Sequence, residues 1–530
     1  MAAPVERSEF VEYTSTQRWL ILIALMLGTV MQVIDTSIVN VAIPTMMGTL
    51  GASLTQISWV STGYIIANVI MLPLTGWITI RFGRKQYLTA SIILFTVASF
   101  FCGTAHSLGM LVFFRVVQGI GGAALLSTAQ ATMMEIFPPQ QLAMVQAIYG
   151  IGVMVGPTIG PTLGGWITDN YSWPWIFYIN LPIGIAAAIM SFIFIHNSRY
   201  TRERRGGVDF VGIGLLAIGL GCLQLMLEKG NDEGWFTSNY ICWLTGLAVV
   251  GIVAFVIWEL SIPYPAVNLR VLRHRGFAAG TAFGAALGVG LYGGIYILPV
   301  FLQQIRHYTA QQTGIILLPG AIATAIAMPI VGRLSSRFTP RLLVAVGSLT
   351  FVVSMLMLRN LTTDTAPGDL FWSLVLRGAS MGFLFVPLTL ATLMGLKGTE
   401  IVEGTGLFNL SRQLGGSIGI ALLSTFIEHQ QAQHRLMLFD RISVFNPLAL
   451  QRLTMYQQYL MSQGSAANIA RQQALKIMTM VINNQATVMA FIDAILLIGA
   501  IFVVSMPLLL LFNKLPASAM HGHKIEVAAE

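Results

Sequence analysis

The sequence predicts an all-α integral membrane protein of fourteen transmembrane helices: two pseudo-symmetric six-helix bundles plus two additional helices. Three observations carry that expectation. Only 9% of the 530 residues are charged, against 55% apolar, whereas soluble domains carry about 25% charge. Fourteen runs are each close to the length of about 20 mostly apolar residues that a hydrocarbon core requires. Pro73, Gly76, Arg81 and Phe82 recur at a constant offset of 256 as Pro329, Gly332, Arg337 and Phe338, each set closing an apolar run.

So few charges cannot clothe a water-facing surface, which excludes a soluble enzyme, a disordered chain and a secreted disulfide scaffold. The net charge of +8 is the Lys/Arg surplus expected of membrane loops, and no aromatic-interleaved basic patch points to nucleic acid. Cys102, Cys222 and Cys242 lie in apolar stretches and read as small hydrophobic fillers. The 52 glycines suit close helix packing in lipid.

Residues 1–18 read as a polar N-terminal tail containing Glu6, Glu9 and Glu12. They lack a signal peptide's basic region and cleavage site, so the first helix is expected to stay as a signal anchor. The N-terminal bundle, 19–195, is assigned helices at 19–40, 57–79, 87–105, 109–132, 143–165 and 175–195. A basic linker, 196–207, leads to the two additional helices of 208–262, at 209–227 and 240–260. The C-terminal bundle, 277–512, follows with helices at 277–301, 313–334, 341–360, 371–395, 405–427 and 487–512, before a tail at 513–530.

Counting loops alternately, eighteen Lys/Arg residues fall on the side of the N-terminus and three, Lys229, Arg306 and Arg359, in the opposite short loops. The positive-inside rule then places both termini in the cytoplasm. The segment 428–486 becomes the long external loop, rich in Gln. Within it, Glu428–Phe439 and Ala467–Met480 space apolar residues at helical intervals, predicting amphipathic helices that extend from the last two spans.

No GxxxxGK[ST], HExxH, CxxC or paired-His arrangement occurs, so neither enzyme chemistry, a metal nor a nucleotide cofactor is expected. The glycines of Gly119-Ile120-Gly121-Gly122 sit inside an apolar helix and read as packing. Four charges lie inside spans: Asp35 in the first, Arg115 in the fourth, Arg377 in the twelfth and Asp493 in the fourteenth. Each costs at least ~2.5 kcal/mol to bury in lipid. Asp35 is the candidate proton carrier. Arg115 cannot lose its proton, so an arginine that engages or releases that carboxylate would tie protonation to conformation. A static ion pair is the blander reading of Asp35 and Arg115, and snorkelling or packing that of Asp493. Asp209 and Glu259, at helix ends near basic linkers, read as orientation charges.

Several stretches carry a family resemblance. Ile34–Pro44 with Asp35, Gly76–Lys85, Arg115-Val116-Val117-Gln118-Gly119, Trp173–Gly184 and Asn409–Gly419 are similar to motifs of the fourteen-helix drug:proton antiporter branch of the major facilitator superfamily. Gly152, Gly156, Pro157, Gly160, Pro161, Gly164 and Gly165 resemble its fifth-helix antiporter motif, which implies a hinge and a seal against proton leak. The resemblance implies proton coupling through Asp35 and Arg115, with Asp493 added from its position. It implies a cytoplasmic gate at Gly76, Arg81, Gly83 and Arg84, echoed by Gly332 and Arg337. Two departures stand out: Ile80 replaces the acidic residue of the loop motif, and Gln140-Gln141 replaces the basic residue after Pro138-Pro139. The clasp that the resemblance implies is then either weaker or rebuilt, with Glu135 or Arg84 as candidates, and no gating salt bridge is assigned.

The resemblance implies a secondary exporter of hydrophobic drugs or toxic compounds in the bacterial inner membrane, driven by the proton gradient without a cofactor. It also implies a periplasmic adaptor docked on 428–486 and an outer-membrane channel, as in tripartite efflux systems. A pocket for varied lipophilic solutes should be apolar and adaptable. Met31, Gln32, Trp59, Tyr64 and Gln118 are its candidates in the first bundle, and Phe283, Tyr292, Tyr296, Met381 and Phe385 in the second. Two alternatives stay open: a dedicated exporter of one metabolite, such as a siderophore or fatty acid, and a non-transporting membrane sensor or scaffold.

Overall fold

The computed structural model describes residues 13–197, 207–440, 442 and 445–512. The expectations for the two tails and the linker therefore fall largely outside the described residues. Within them the backbone is helical almost throughout. The first half comprises α1 (Ser15–Leu50), the single turn α2 (Leu54–Ile57), α3 (Trp59–Phe82), α4 (Arg84–Gly103), α5 (Leu108–Ile136), α6 (Pro139–Asn170), the single turn α7 (Trp175–Tyr178) and α8 (Asn180–Phe194). Two intervening helices follow, α9 (Phe210–Lys229) and α10 (Asn239–Ser261). The second half is α11 (Arg275–Gln304), α12 (Ala310–Leu334), α13 (Pro340–Met357), α14 (Pro367–Leu393), α15 (Thr399–Asp440), α16 (Pro447–Ser462) and α17 (Ala467–Ser505).

Local chemistry sets the helix ends. Thr14 caps α1 in a capping box with Gln17, the Thr14 N–H donating to Gln17 Oε1 at 2.9 Å and Thr14 Oγ1 accepting from Gln17 N at 3.3 Å. Gly51, in the left-handed region at φ 61°, stops it. Gly83, at φ 97°, makes the sharp turn from α3 to α4, a backbone that a side chain would strain.

Thirteen described helices are long and apolar enough to cross a membrane, with α7 and α8 joined as one. The remaining expected span lies in α15, which is 42 residues long but diluted by Asn409, Ser411, Arg412 and Gln413. A helix can carry that polarity when its polar face is covered by protein instead of lipid. The segment 428–486, expected as a loop with amphipathic stretches, is mostly helix. α15 runs on unbroken to Asp440, α17 starts at Ala467, and α16 packs on α17 between them.

α9 and α10 pack on each other, with α9 against α3. Only 33% and 28% of their most apolar windows are buried, against 67% in α11 and α14, so they stand at the lipid-facing periphery. The two halves meet along two seams, α3 on α15 and α6 on α12. Glycines set the approach at matching places: a Cβ on Gly76 would lie 2.8 Å from Glu403 Cα, and one on Gly332 3.2 Å from Ala143 O. Gly76 and Gly332 are the residues related by the 256-residue offset, so the repeat coincides with a structural equivalence of α3 and α12.

Candidate functional site

The first half builds its site around α1. Four glycines of α6, spaced one turn apart, present a flat stripe to it. A Cβ on Gly152 would come within 2.8 Å of Met26 and Val30, on Gly156 within 2.7 Å of Val33, and on Gly164 within 2.7 Å of Ile38. Gly160 is the tightest, lying directly over Ser37. Gly165 stands at the edge of the stripe, 3.9 Å from Val41 by the same measure. Pro157 and Pro161 lie within α6 itself.

With one face pinned by α6, α1 turns Asp35 toward α5 and α8. Asp35 is 0% exposed and Arg115 1%. Arg115 Nη1 donates to Asp35 Oδ2 at 2.6 Å, while Gln118 Nε2 and Asn180 Nδ2 donate to Asp35 Oδ1 at 3.0 and 2.8 Å. Arg115 is itself held on several sides. Its Nε donates to the Val60 carbonyl at 3.0 Å, its Nη1 also reaches Gln118 Oε1 at 2.7 Å, and Tyr64 lies 4.3 Å beneath its guanidinium. Behind them Asn180 donates to Ser99 Oγ at 3.0 Å, and Ser99 Oγ to the Phe177 carbonyl at 3.0 Å. The carboxylate thus has a counter-ion and two neutral donors in a site sealed from solvent, which satisfies the buried charge.

Chemically this arrangement can exchange a proton only by rearranging. Asp35 Oδ1 accepts from two donors and Oδ2 from Arg115 alone, so an incoming proton competes with the guanidinium for Oδ2. Displacing Arg115 leaves a buried cation without its anion, a change large enough to move helices.

Asp493 is not brought to this site. It sits on α17 and meets His434 of α15, Nε2 to Oδ2, at 2.7 Å. Arg377 of α14 donates to the Gly294 carbonyl of α11 at 2.9 Å. It thus bridges the fourth and first helices of the second half as Arg115 does in the first, but onto a carbonyl where Arg115 finds an acid. Asp209 caps α9 through Gly212 N at 2.8 Å and accepts from Trp258 Nε1 at 2.9 Å, whereas Glu259 is 1% exposed and not a solvated orientation charge.

At the end bearing the α3–α4 turn, Arg84 is buried and ion-paired with Glu135, joining the two candidates for a rebuilt clasp. The pair links α4 to α5 inside one half and does not span the seam. The seam there instead holds Glu403, which packs on Gly76 and accepts from Asn268 at 2.8 Å. Arg81 lies over the Trp77 ring at 5.6 Å, and Arg337 is exposed.

The expected pocket residues divide. Gln118 is a ligand of the Asp35–Arg115 pair, and Tyr64 is its aromatic floor as well as the acceptor for Gln32 Nε2 at 3.1 Å. Phe283 is 0% exposed with its ring against Phe502 at 6.3 Å, inside the second half. It cannot line a passage between halves, because its helix turns that face toward α17. Trp59 stands 37% exposed at the start of α3, and Met31 is buried in the core. Tyr292 and Tyr296 are half-buried. Met381 and Phe385 are buried, with Phe385 6.2 Å from Tyr149 of α6 across the seam.

Sequence reasoning missed two things. Asn180, inside the Trp173–Gly184 stretch, and Ser99 are polar but uncharged, and nothing marks them as support for Asp35 until folding brings them together. Arg412 is a fifth charge inside a span, visible in the sequence but absorbed into the Asn409–Gly419 stretch. It is 2% exposed, its guanidinium 5.3 Å from the Phe385 ring. Arg412 Nη2 donates to Asn409 Oδ1 at 2.8 Å, Asn409 Nδ2 to Gln130 Oε1 at 2.8 Å, and Gln130 Nε2 to Gln146 Oε1 at 3.3 Å. The chain crosses from the second half to the first.

The Major Facilitator Superfamily profile matches residues 25–420. The chain is 37% identical over 504 residues to the multidrug export protein EmrB of Escherichia coli K12, covering 94% of this chain and 96% of that protein. It is 34% identical over 506 residues to the fatty acid resistance protein FarB of Neisseria gonorrhoeae, covering 94% and 97%. Among solved structures, the human organic anion transporter MFSD10 aligns with a TM-score of 0.59 over 93% of this chain and 99% of that one, at 13% identity. That last likeness concerns the fold alone.

Proposed function

The chain belongs to the major facilitator superfamily, among its EmrB-like multidrug export transporters, and from that premise we propose that it is a proton-coupled antiporter exporting hydrophobic drugs or toxic compounds across the bacterial inner membrane. The sealed Asp35–Arg115 pair carries this reading. Solute enters from the cytoplasm or inner leaflet and protons from outside, with both termini cytoplasmic. Proton uptake by Asp35 frees Arg115, and the freed cation destabilises the packing of α1 against α5. α1 is also pinned along the glycine stripe of α6, so the disturbance reaches the α6–α12 seam. Gly76 and Gly332 set the closed contact at the cytoplasmic end, and the close packing of the Gly152–Gly164 stripe on α1 serves as the seal against proton leak. Each proton supplies ~1.36 kcal/mol per pH unit and ~2.3 kcal/mol per 100 mV.

The helical projection of α15, α16 and α17 supplies the docking surface for a periplasmic adaptor leading to an outer-membrane channel. α16 buries no residue, and Leu448, Met455 and Tyr459 are 72%, 53% and 61% exposed, an apolar face that a partner would cover.

The deciding experiment uses everted vesicles. Asp35→Asn should abolish substrate-induced proton release while the protein stays folded and inserted. Coupled exchange that persists in this variant overturns the assignment. The similarity to FarB favours a second reading, a dedicated exporter of one lipophilic metabolite such as a fatty acid. A single tight substrate, without competition among unrelated dyes, would select it.

A further inference from the structure

We infer that Arg412 and Gln146 form a receptor for the anionic group, above all a carboxylate, of the exported solute. The inference rests on the transport reading above and names its substrate class. Arg412 is a permanent cation, 2% exposed, with no carboxylate within ion-pair distance among the described residues. Its neighbours are neutral: Asn409, the Phe385 ring, and the Tyr149 hydroxyl, which donates its own proton to the Leu126 carbonyl at 3.2 Å. Buried arginines are ordinarily paired, and a lone one in a membrane interior marks a binding or conduction site.

The hydrogen-bond inventory points the same way. The chain Arg412–Asn409–Gln130–Gln146 begins and ends on unused donors, for Arg412 Nη1 and Gln146 Nε2 both lack an acceptor, although Gln146 is 0% exposed. Buried donors seldom go unpaired. Two unused donors and a net positive charge call for an acceptor that carries negative charge. The surroundings suit the rest of such a molecule: a Cβ on Gly150 would lie 2.8 Å from both Met328 Sδ and Phe385, so apolar side chains of the second half close onto α6 beside the donors. Among the described residues the seam offers a cationic solute no free counter-charge, because Asp35 is spent on Arg115, and Glu403 accepts from Asn268 against Gly76. Because the chain crosses the seam at Asn409 and Gln130, a bound anion would bridge both halves and be released when they part.

The test uses the full-length protein in nanodiscs, without a gradient, at pH 7.5. Three probes share one ring system: 2-naphthoate, 2-naphthylmethanol and 2-naphthylmethylammonium. The wild type should bind the carboxylate at least about tenfold more tightly than the alcohol, and the ammonium no better than the alcohol. Arg412→Gln should erase that preference while alcohol binding stays within about twofold, and Gln146→Leu should reduce it by about threefold. Should Arg412→Gln fail to fold, the wild-type ratio and Gln146→Leu decide. A wild type indifferent to charge, or variants that keep the full preference, would overturn the inference. Asp35→Asn should still bind naphthoate, so loss of coupling and loss of anion recognition are separately visible.

Discussion

Gly160 of α6 lies directly over Ser37 of α1: a Cβ there would overlap Ser37 Oγ and stand 2.8 Å from Ser37 Cβ and 3.2 Å from the Ile38 nitrogen. A rotated hydroxyl can yield, but the Ser37 Cβ and the backbone behind it cannot. The contact therefore fixes how close α1 comes to α6, and through α1 where Asp35 stands.

Gly160→Val should destabilise the protein by about 1–3 kcal/mol, the usual result of overpacking, and reduce coupled flux with it. Gly165→Ala is the control, since its Cβ would meet only Val41 at 3.9 Å. Thermal unfolding in nanodiscs separates the two. Equal melting temperatures would mean that the stripe is not the tight contact described.

The seam can be locked. A Cβ on Gly332 would lie 3.2 Å from Ala147 Cβ, close to the ~3.5–4.5 Å that a disulfide spans between Cβ atoms. Gly332→Cys with Ala147→Cys should cross-link under mild oxidant, stop transport, and recover on reduction. Full transport by the oxidised, cross-linked protein would show that this seam does not open.

Asn180 supports Asp35 without bearing charge. Asn180→Leu keeps the volume but leaves Asp35 Oδ1 with Gln118 as its one side-chain donor and takes a donor from Ser99 Oγ. Stability should fall by about 1–3 kcal/mol, and substrate-induced proton release should fall more than substrate binding. Unchanged proton release would reduce Asn180 to packing.

On the projecting helices, Leu448→Asp with Tyr459→Asp should abolish co-purification with the adaptor while flux in liposomes, where no adaptor is present, stays at the wild-type level. Both residues are well exposed, on a helix none of whose residues is buried, so the substitutions carry little folding cost. Loss of liposome flux would assign this surface to the transporter's own cycle.

Much of this was legible beforehand. Asp35 and Arg115 stand out in a chain with 9% charge, and the glycines of α6 recur one turn apart, as a helix contact requires. The 256-residue repeat marks the two glycines that set both seams. Other features left no trace. Gln118 and Phe283 are as polar and as aromatic as a pocket residue should be, but helix rotation turned one onto an ion pair and the other into a bundle core. Asn180 lies in the Trp173–Gly184 motif, but nothing there marks it as a ligand of Asp35 until α8 sets the two together, 145 residues apart.

The sequence by itself determined that this protein lives in a membrane, where its helices run, and which few charges had to be compensated, because the cost of charge in lipid depends on residue type and position alone. Only the tertiary structure decided which partner each charge has. Asp35 and Arg115, 80 residues apart, satisfy each other; Arg377 settles on a carbonyl; Arg412 is left with an unused donor at the seam. Pairing depends on which face each helix turns to its neighbour, and glycine-set contacts far from the charge fix that rotation.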